Sequence, residues 1–187
     1  MCLFIGEGKN NLKLNTCNLK LYSVAQIANR EKIERILERI AYQLAENYCH
    51  HKHVTFVGVK ESGFVLAQEV VNYLKPILNI PTEVIALEID KKKPQTSEIK
   101  LSKNIEVHQT AIILVDDVIN SGKTLFYALK PFFEMKIDAL HTLILVERKH
   151  KRFPIVADYV GISLNTTMLE KIEVKVKAGK ISSIELV

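Results

Sequence analysis

Ala111-Ile112-Ile113-Leu114-Val115-Asp116-Asp117-Val118-Ile119-Asn120-Ser121-Gly122-Lys123-Thr124 is the stretch on which the fold turns. Its first five residues are apolar without interruption, which predicts a strand over Ala111 to Val115 buried on both faces, as a central parallel strand is. Two adjacent carboxylates follow at the strand's C-terminal end, where open α/β sheets place their ligands. A turn of hydroxyls, glycine and lysine then enters a helix, and turn amides at a helix N-terminus favour a phosphate. Gly122 permits close backbone approach, Ser121 and Thr124 bring hydroxyl donors, and Lys123 brings positive charge. Neighbouring acids at the end of a buried strand are costly without a partner, so a chance polar turn is a poor account of them.

Two other readings of these residues fail. Gly122-Lys123-Thr124 has the ending of a nucleotide-binding P-loop, but that motif needs a glycine five residues earlier. Asp117 stands there, with its charge where a triphosphate belongs. A receiver-domain pocket also pairs acids after a strand, but it opens its domain, and too little chain follows Asp116.

Working outward, Asn29 is a candidate N-cap. Ile33, Ile36, Leu37, Ile40, Ala41, Leu44 and Tyr48 then recur at the spacing of an amphipathic helix. Val54 to Val59 reads as a β-branched strand, Lys60-Glu61-Ser62-Gly63 as a tight turn, and 64–74 as helix again. Beyond Pro81, 83–89 reads as a second strand. Residues 90–103 are polar and basic, contain Pro94 and lack periodicity, which predicts a mobile loop of the kind that serves as a lid. Downstream, Thr124 to Met135 has helical character that Pro131 shortens or kinks, and Leu140 to Val146 reads as a strand. The alternation predicts an α/β protein, a parallel twisted sheet flanked by helices. From Phe153 the pattern changes: Ile172, Val174 and Val176 alternate, Lys177-Ala178-Gly179-Lys180 turns, and 181–187 runs back as a β-hairpin. The expected organisation is a single domain over 1–187, with a core over about 22–150 and a small hood from about 1–21 and 151–187.

The chain has 187 residues, 48% hydrophobic and 25% charged, the balance of a soluble globular protein. No apolar run approaches the ~20 residues of a membrane span. The opening Met-Cys-Leu-Phe-Ile lacks the basic region of a secretory signal. Cys2, Cys17 and Cys49 are odd in number and have no CxxC spacing, so reduced thiols and a cytoplasmic address are expected. His50, His51 and His53 beside Cys49 lack the second ligand pair that zinc requires and read as a solvated turn. The net charge of +5 favours anionic partners, phosphorylated small molecules or nucleic acid. Trp is absent and no basic stripe interleaves with aromatics, which weighs against a stacking platform for single strands.

Strand, acidic pair, two apolar residues, a variable residue, then Ser-Gly-Lys-Thr resembles the phosphoribosyl pyrophosphate (PRPP) motif of type I phosphoribosyltransferases. Ile40-Ala41, Val57-Gly58-Val59-Lys60 followed by Gly63, and Pro154-Ile155-Val156-Ala157-Asp158-Tyr159-Val160-Gly161 are similar to the bifunctional pyrimidine-operon regulator/uracil phosphoribosyltransferase family, from about Tyr22 to Thr167. The resemblance implies the type I phosphoribosyltransferase fold with its hood. It also implies transfer of phosphoribosyl from PRPP to a nucleobase, a pyrimidine such as uracil, with release of pyrophosphate. Asp116 and Asp117 then engage the ribose hydroxyls directly or through Mg²⁺, a hard cation suited to carboxylate and phosphate oxygens. Val118, Ile119, Asn120, Ser121, Gly122, Lys123 and Thr124 form the PRPP-binding segment, its last four around the 5′-phosphate. Lys60, Glu61, Ser62 and Gly63 take the pyrophosphate-loop position. The 90–103 loop closes over the donor and excludes water, with Lys91, Lys92 or Lys93 beside the leaving group. Tyr159 and Val160 match the base-recognising region, where Tyr159 either stacks on the base or is a core aromatic at a strand start. A homo-oligomer is the implied assembly, with no membrane partner.

Three residues depart from the family pattern. Ser62 stands where an Arg is usual, with Glu61 adding negative charge beside it, which weakens the hold on a polyanion. Ile162 replaces a lysine after Tyr-Val-Gly. Asn120 stands where purine-using relatives place an acid, and an amide is no general base. Two alternatives follow: a nucleotide-sensing regulator that binds RNA, or a ligand-binding relative with little turnover.

Overall fold

In the computed structural model, which describes residues 25–105, 110–149, 151–165 and 170–187, the strands divide into two sheets. The larger holds β2 (His53–Val59), β3 (Thr82–Glu88), β4 (Lys100–Leu101), β5 (Thr110–Ile119), β6 (Ala139–Arg148) and β7 (Tyr159–Leu164) in the order β4-β3-β2-β5-β6-β7. All its pairings are parallel except β3 with β4. The sheet is covered on both faces, which explains the unbroken apolar run of β5. Ala111, Ile113 and Val115 pack with α1 (Arg30–Tyr48) and α2 (Ser62–Leu74). Ile112 and Leu114 turn the other way, toward α3 (Lys123–Ala128) and Phe132.

Helix α1 forms where its period predicts, with the Asn29 side chain accepting from the Lys32 N–H at 3.0 Å. Its buried residues are those seven apolar positions. Burying one such large side chain contributes about 1.5–3 kcal/mol.

The second sheet is the hood, β1 (Ala25–Ala28), β9 (Lys180–Leu186) and β8 (Ile172–Lys177) in the order β1-β9-β8, antiparallel throughout. Glu69 of α2 pins it to the core. Its buried carboxylate accepts the Ile181 N–H at 2.8 Å and pairs with Arg30 at 2.6 Å, and Arg30 in turn donates to the Ile181 carbonyl at 2.8 Å.

Several expected boundaries change. Residues 159–164, assigned to the hood, are the edge strand of the main sheet; a short half-buried edge strand has the same alternation as a hairpin strand, so local pattern cannot separate them. Conversely, 25–28, assigned to the core, pair with β9 in the hood. The expected contribution of 1–21 lies outside the described residues. The helix after Thr124 is only six residues long and passes into a 3-10 turn at Lys130–Phe132, because Pro131 has no N–H to continue the ladder. The 90–103 loop ends in β4, so part of it is sheet edge.

Candidate functional site

The acidic pair is reached by a mismatch in strand length. β2 pairs with β5 only as far as Gly58 opposite Val115, whereas β6 runs on beside β5 to Ile119 opposite Glu147. Asp116 and Asp117 therefore lie within β5, not after it, but past the end of its pairing with β2, where the chain turns into α2. Gly63 lets α2 start directly against them: a Cβ there would sit 2.9 Å from the Val115 carbonyl oxygen and 3.1 Å from the Asp116 Cα. The Ser62 hydroxyl donates to Asp117 Oδ2 at 2.6 Å, and the Asp117 N–H donates to Asp116 Oδ1 at 3.0 Å. Lys91 reaches over from the loop and donates to Asp116 Oδ1 at 3.1 Å and Asp117 Oδ1 at 3.4 Å.

These contacts split the pair electrically. Burial pushes Asp116 up to about 7, against the pull of Lys91 and with reinforcement from the charge of Asp117. Burial acts on Asp117 as well, but Lys91, Asp116 and the Ser62 hydroxyl together hold it below its ordinary value. Two neighbouring carboxyls driven apart in this way can carry one negative charge between them at neutral pH. Lys91 loses solvent too, yet the two carboxylates hold its ammonium above the ordinary lysine value.

The turn after the pair is braced from the segment between β6 and β7. Gly122 has φ of +79°, in the left-handed region, and a Cβ there would meet Ile155 Cγ2 at 2.7 Å. The Ser121 carbonyl accepts from the Arg152 and Phe153 amides at 3.0 and 3.1 Å. Ser121 Oγ accepts the Lys123 N–H at 3.3 Å, and Asn120 Oδ1 accepts from Arg148 at 3.0 Å. A six-residue helix adds little macrodipole, so what this turn offers an anion is its amides, its hydroxyls and Lys123.

Asp116, Asp117 and the whole of 118–124 line one cleft of about 460 Å³ together with Lys91. Its far wall is a part of the hood that the sequence did not single out, residues 171–175 of β8 and the link before it. The only local signal was three alternating charges, Lys171, Glu173 and Lys175, on one strand face. Lys91 is shared with an adjoining hollow of about 850 Å³ that Lys60, Glu61 and Lys92 line. There Lys60 is ion-paired with Glu88, and Glu61 has φ of +73°. The Lys93 carbonyl accepts from the Thr96 and Ser97 amides in a turn of the loop, and its side chain is exposed.

Tyr159 and Val160 do not join this cleft. Tyr159 is level with Val115 across β6, but its ring lies on the α1 face, 6% exposed, against Tyr48, with its hydroxyl accepting from Asn47 at 2.8 Å. Val160 faces the other way and packs with the α3-side cluster. Of the two readings of Tyr159, the structure takes the core aromatic. Nor is the 50–53 turn wholly solvated, since His51 packs on Tyr48 at 5.0 Å between ring centres.

The donor chemistry fits Mg²⁺. Among the described residues no group of three or more His, Cys, Asp or Glu forms a protein-only cage. Mg²⁺ is commonly held by one or two carboxylates plus substrate phosphates, and Asp116 and Asp117 supply that share.

Comparison with known proteins follows the same line. The phosphoribosyl transferase domain family matches residues 23–178. The bifunctional protein PyrR of Streptococcus thermophilus is 32% identical over 157 residues, 81% of this chain and 89% of that one. The PyrR of Leuconostoc mesenteroides is 29% identical over 159 residues, covering 81% and 91%. Among solved structures, the hypoxanthine phosphoribosyltransferase of Trypanosoma cruzi superposes with a TM-score of 0.71 at 16% identity, covering 86% of this chain and 94% of that one. A Bacillus anthracis hypoxanthine-guanine phosphoribosyltransferase gives 0.63 at 20% identity, covering 75% and 82%. At such identities these two speak for the fold alone. No described helix is long and apolar enough to cross a membrane. By its matched length, its PyrR relatives and its sheet, the chain belongs to the phosphoribosyl transferase domain family, as a type I phosphoribosyltransferase of the PyrR-like subfamily.

Proposed function

We propose that this base phosphoribosyltransferase moves the phosphoribosyl group of PRPP onto a ring nitrogen of a pyrimidine such as uracil, in the cytoplasm and with Mg²⁺. The observation that carries this is the single cleft in which the acidic pair faces the 120–124 turn. A sugar with phosphate at one end and hydroxyls in the middle needs both. The turn's amides, Ser121, Thr124 and Lys123 take the 5′-phosphate, and Asp116 and Asp117 accept from the 2′- and 3′-hydroxyls.

In the reaction, the C1′–O bond to pyrophosphate breaks and a C1′–N bond to the base forms, through a state with positive charge on the ribose ring. The proton lost from the ring N–H passes to the released pyrophosphate or to solvent. The negative charge shared by Asp116 and Asp117 is placed to favour that state. Mg²⁺, when bound, neutralises pyrophosphate oxygens. Lys91 must leave the acid pair as the ribose hydroxyls arrive. It already borders the hollow beside Lys60, and its withdrawal there places a cation by the departing pyrophosphate. Residues 90–99 of the loop then serve as the lid. Asn120 cannot take a proton from the base, which disfavours purines.

A second reading, a nucleotide-sensing regulator that binds RNA, draws on the net charge of +5 and on relatives described as bifunctional. Assembly as a homo-oligomer belongs to either reading.

The test is pyrophosphate release with PRPP, Mg²⁺ and a panel of uracil, cytosine, hypoxanthine, guanine and orotate. Release is expected with uracil. Asp117→Asn is expected to abolish Mg²⁺-dependent PRPP binding while the protein stays folded. Undiminished binding in that variant removes the site assignment, and donor binding without release for every base leaves a ligand-binding relative.

A further inference from the structure

Residues 90–97 of the loop are held mainly by one another. The Lys92 N–H donates to Asp90 Oδ1 at 2.8 Å and the Asp90 N–H to Ser97 Oγ at 3.4 Å. The Lys93 carbonyl accepts the Thr96 and Ser97 amides at 3.2 and 3.1 Å. Among the described hydrogen bonds and ion pairs, one side chain ties this stretch to the rest of the protein. It is Lys91, whose ammonium bridges Asp116 and Asp117.

The Lys91 side chain is 44% exposed, whereas those of the two acids are 5% and 14% exposed. The loop therefore lays one cation over a carboxylate pair that has almost no water to solvate it. An exposed ion pair contributes little, but a buried charge without a partner is costly, so the acids need the lysine more than it needs them. The bridge runs to Asp116 Oδ1 and Asp117 Oδ1, and Asp117 Oδ2 is already taken by the Ser62 hydroxyl. A sugar that is to hydrogen-bond to this pair must first displace the ammonium. An anion that needs only the 120–124 turn need not, since Lys91 makes no described bond to that turn.

We infer that Lys91 latches the ligand-free site. Its ammonium holds the place of the sugar's hydroxyls, so phosphate alone binds without disturbing the loop, while a phosphorylated sugar binds only by releasing it. The inference rests on the phosphoribosyl reading of the cleft and adds a regulation to it. A latch lowers apparent affinity in proportion to the fraction of molecules left competent to bind. It also ties movement of residues 90–97 to the arrival of a sugar rather than of any anion. The released cation has a use in the adjoining hollow, where Lys60 and Lys100 are already paired with Glu88 and Glu98.

The experiment is calorimetric titration of wild type, Lys91→Met and Asp90→Ala with ribose 5-phosphate and with inorganic phosphate, in the absence of divalent metal. Coulomb's law alone makes the loss of a nearby cation weaken the binding of both anions. Lys91→Met is nevertheless expected to bind ribose 5-phosphate about fivefold tighter than wild type, the lower end of ordinary coupling between sites. Inorganic phosphate should bind to it equally or more weakly. Asp90→Ala loosens the turn that aims Lys91 but keeps the lysine, and should move the ratio of the two affinities in the same direction. Ribose 5-phosphate binding in Lys91→Met that is no tighter than in wild type overturns the latch and spares the phosphoribosyl reading. Should Lys91→Met not fold, an unchanged ratio in Asp90→Ala overturns it instead. Failure of wild type to bind ribose 5-phosphate at all overturns both.

Discussion

Replacing Gly63 with alanine tests whether the close approach of α2 to β5 is what sets the acidic pair. The added Cβ would lie 2.9 Å from the Val115 carbonyl oxygen, 3.1 Å from the Asp116 Cα and 3.3 Å from Asp116 Oδ1. Ordinary contact begins near 3.5 Å, so relief needs a shift of about half an ångström. Two of the three atoms are backbone of β5, which is paired to β2 and β6 and cannot give way. The start of α2 must lift instead, taking Ser62 with it. Overpacking of this kind costs about 1–3 kcal/mol. The Ser62–Asp117 bond at 2.6 Å is a charge-assisted one, of the class that contributes about 1.5–3 kcal/mol, and part of it goes too. With a slope of about 2 kcal/mol per molar, a loss near 2 kcal/mol lowers the urea midpoint by about 1 M. PRPP affinity measured calorimetrically should fall alongside, with Ser62→Ala reproducing the affinity loss but less of the instability. A Gly63→Ala protein with wild-type midpoint and wild-type affinity refutes the reasoning, since the geometry leaves no room for the methyl group without moving Ser62.

Asp116 gives a pH dependence whose sign follows from its direction. Its folded value of about 7 lies above its ordinary one, so its stabilising contribution is complete below about pH 4 and is lost as pH rises through 7. The ligand-free urea midpoint of wild type should therefore fall between pH 5 and 8 relative to that of Asp116→Asn, while PRPP affinity rises over the same range; parallel midpoint curves for the two proteins would contradict the burial argument. Glu69→Ala strands the Ile181 N–H and the Arg30 guanidinium at a buried junction. Breaking a buried pair from one side costs about 3–5 kcal/mol, toward the lower end here because Arg30 is partly exposed. Hydrogen exchange at the Ile181 amide should accelerate before that of the β5 amides, and continued protection there would show that the hood is held by other contacts.

What the chain determined locally is what depends on near neighbours. The seven apolar residues of α1 repeat at helical spacing because one helix face must be buried, and they do so whatever packs on them. The run of β5, the two acids and the glycine turn were legible together because strand burial, carboxylate cost and left-handed backbone are each a property of a few consecutive residues. Pro131 likewise announced a short α3 in its missing N–H, though not at which residue it would stop. Register, face and strand length are set by partners far along the chain, and these the tertiary structure alone decided. Tyr159 matched the family's base-recognising region, yet the sheet turns its ring onto Tyr48, because which side of β7 meets α1 depends on the pairing with β6. Residues 171–175 looked like one arm of a hairpin. They became the wall of the cleft only because β9 pairs with β1 and Glu69 fastens that sheet above the ends of the central strands. The acids themselves open to the cleft for a non-local reason, that the pairing of β5 with β2 stops short and its pairing with β6 does not.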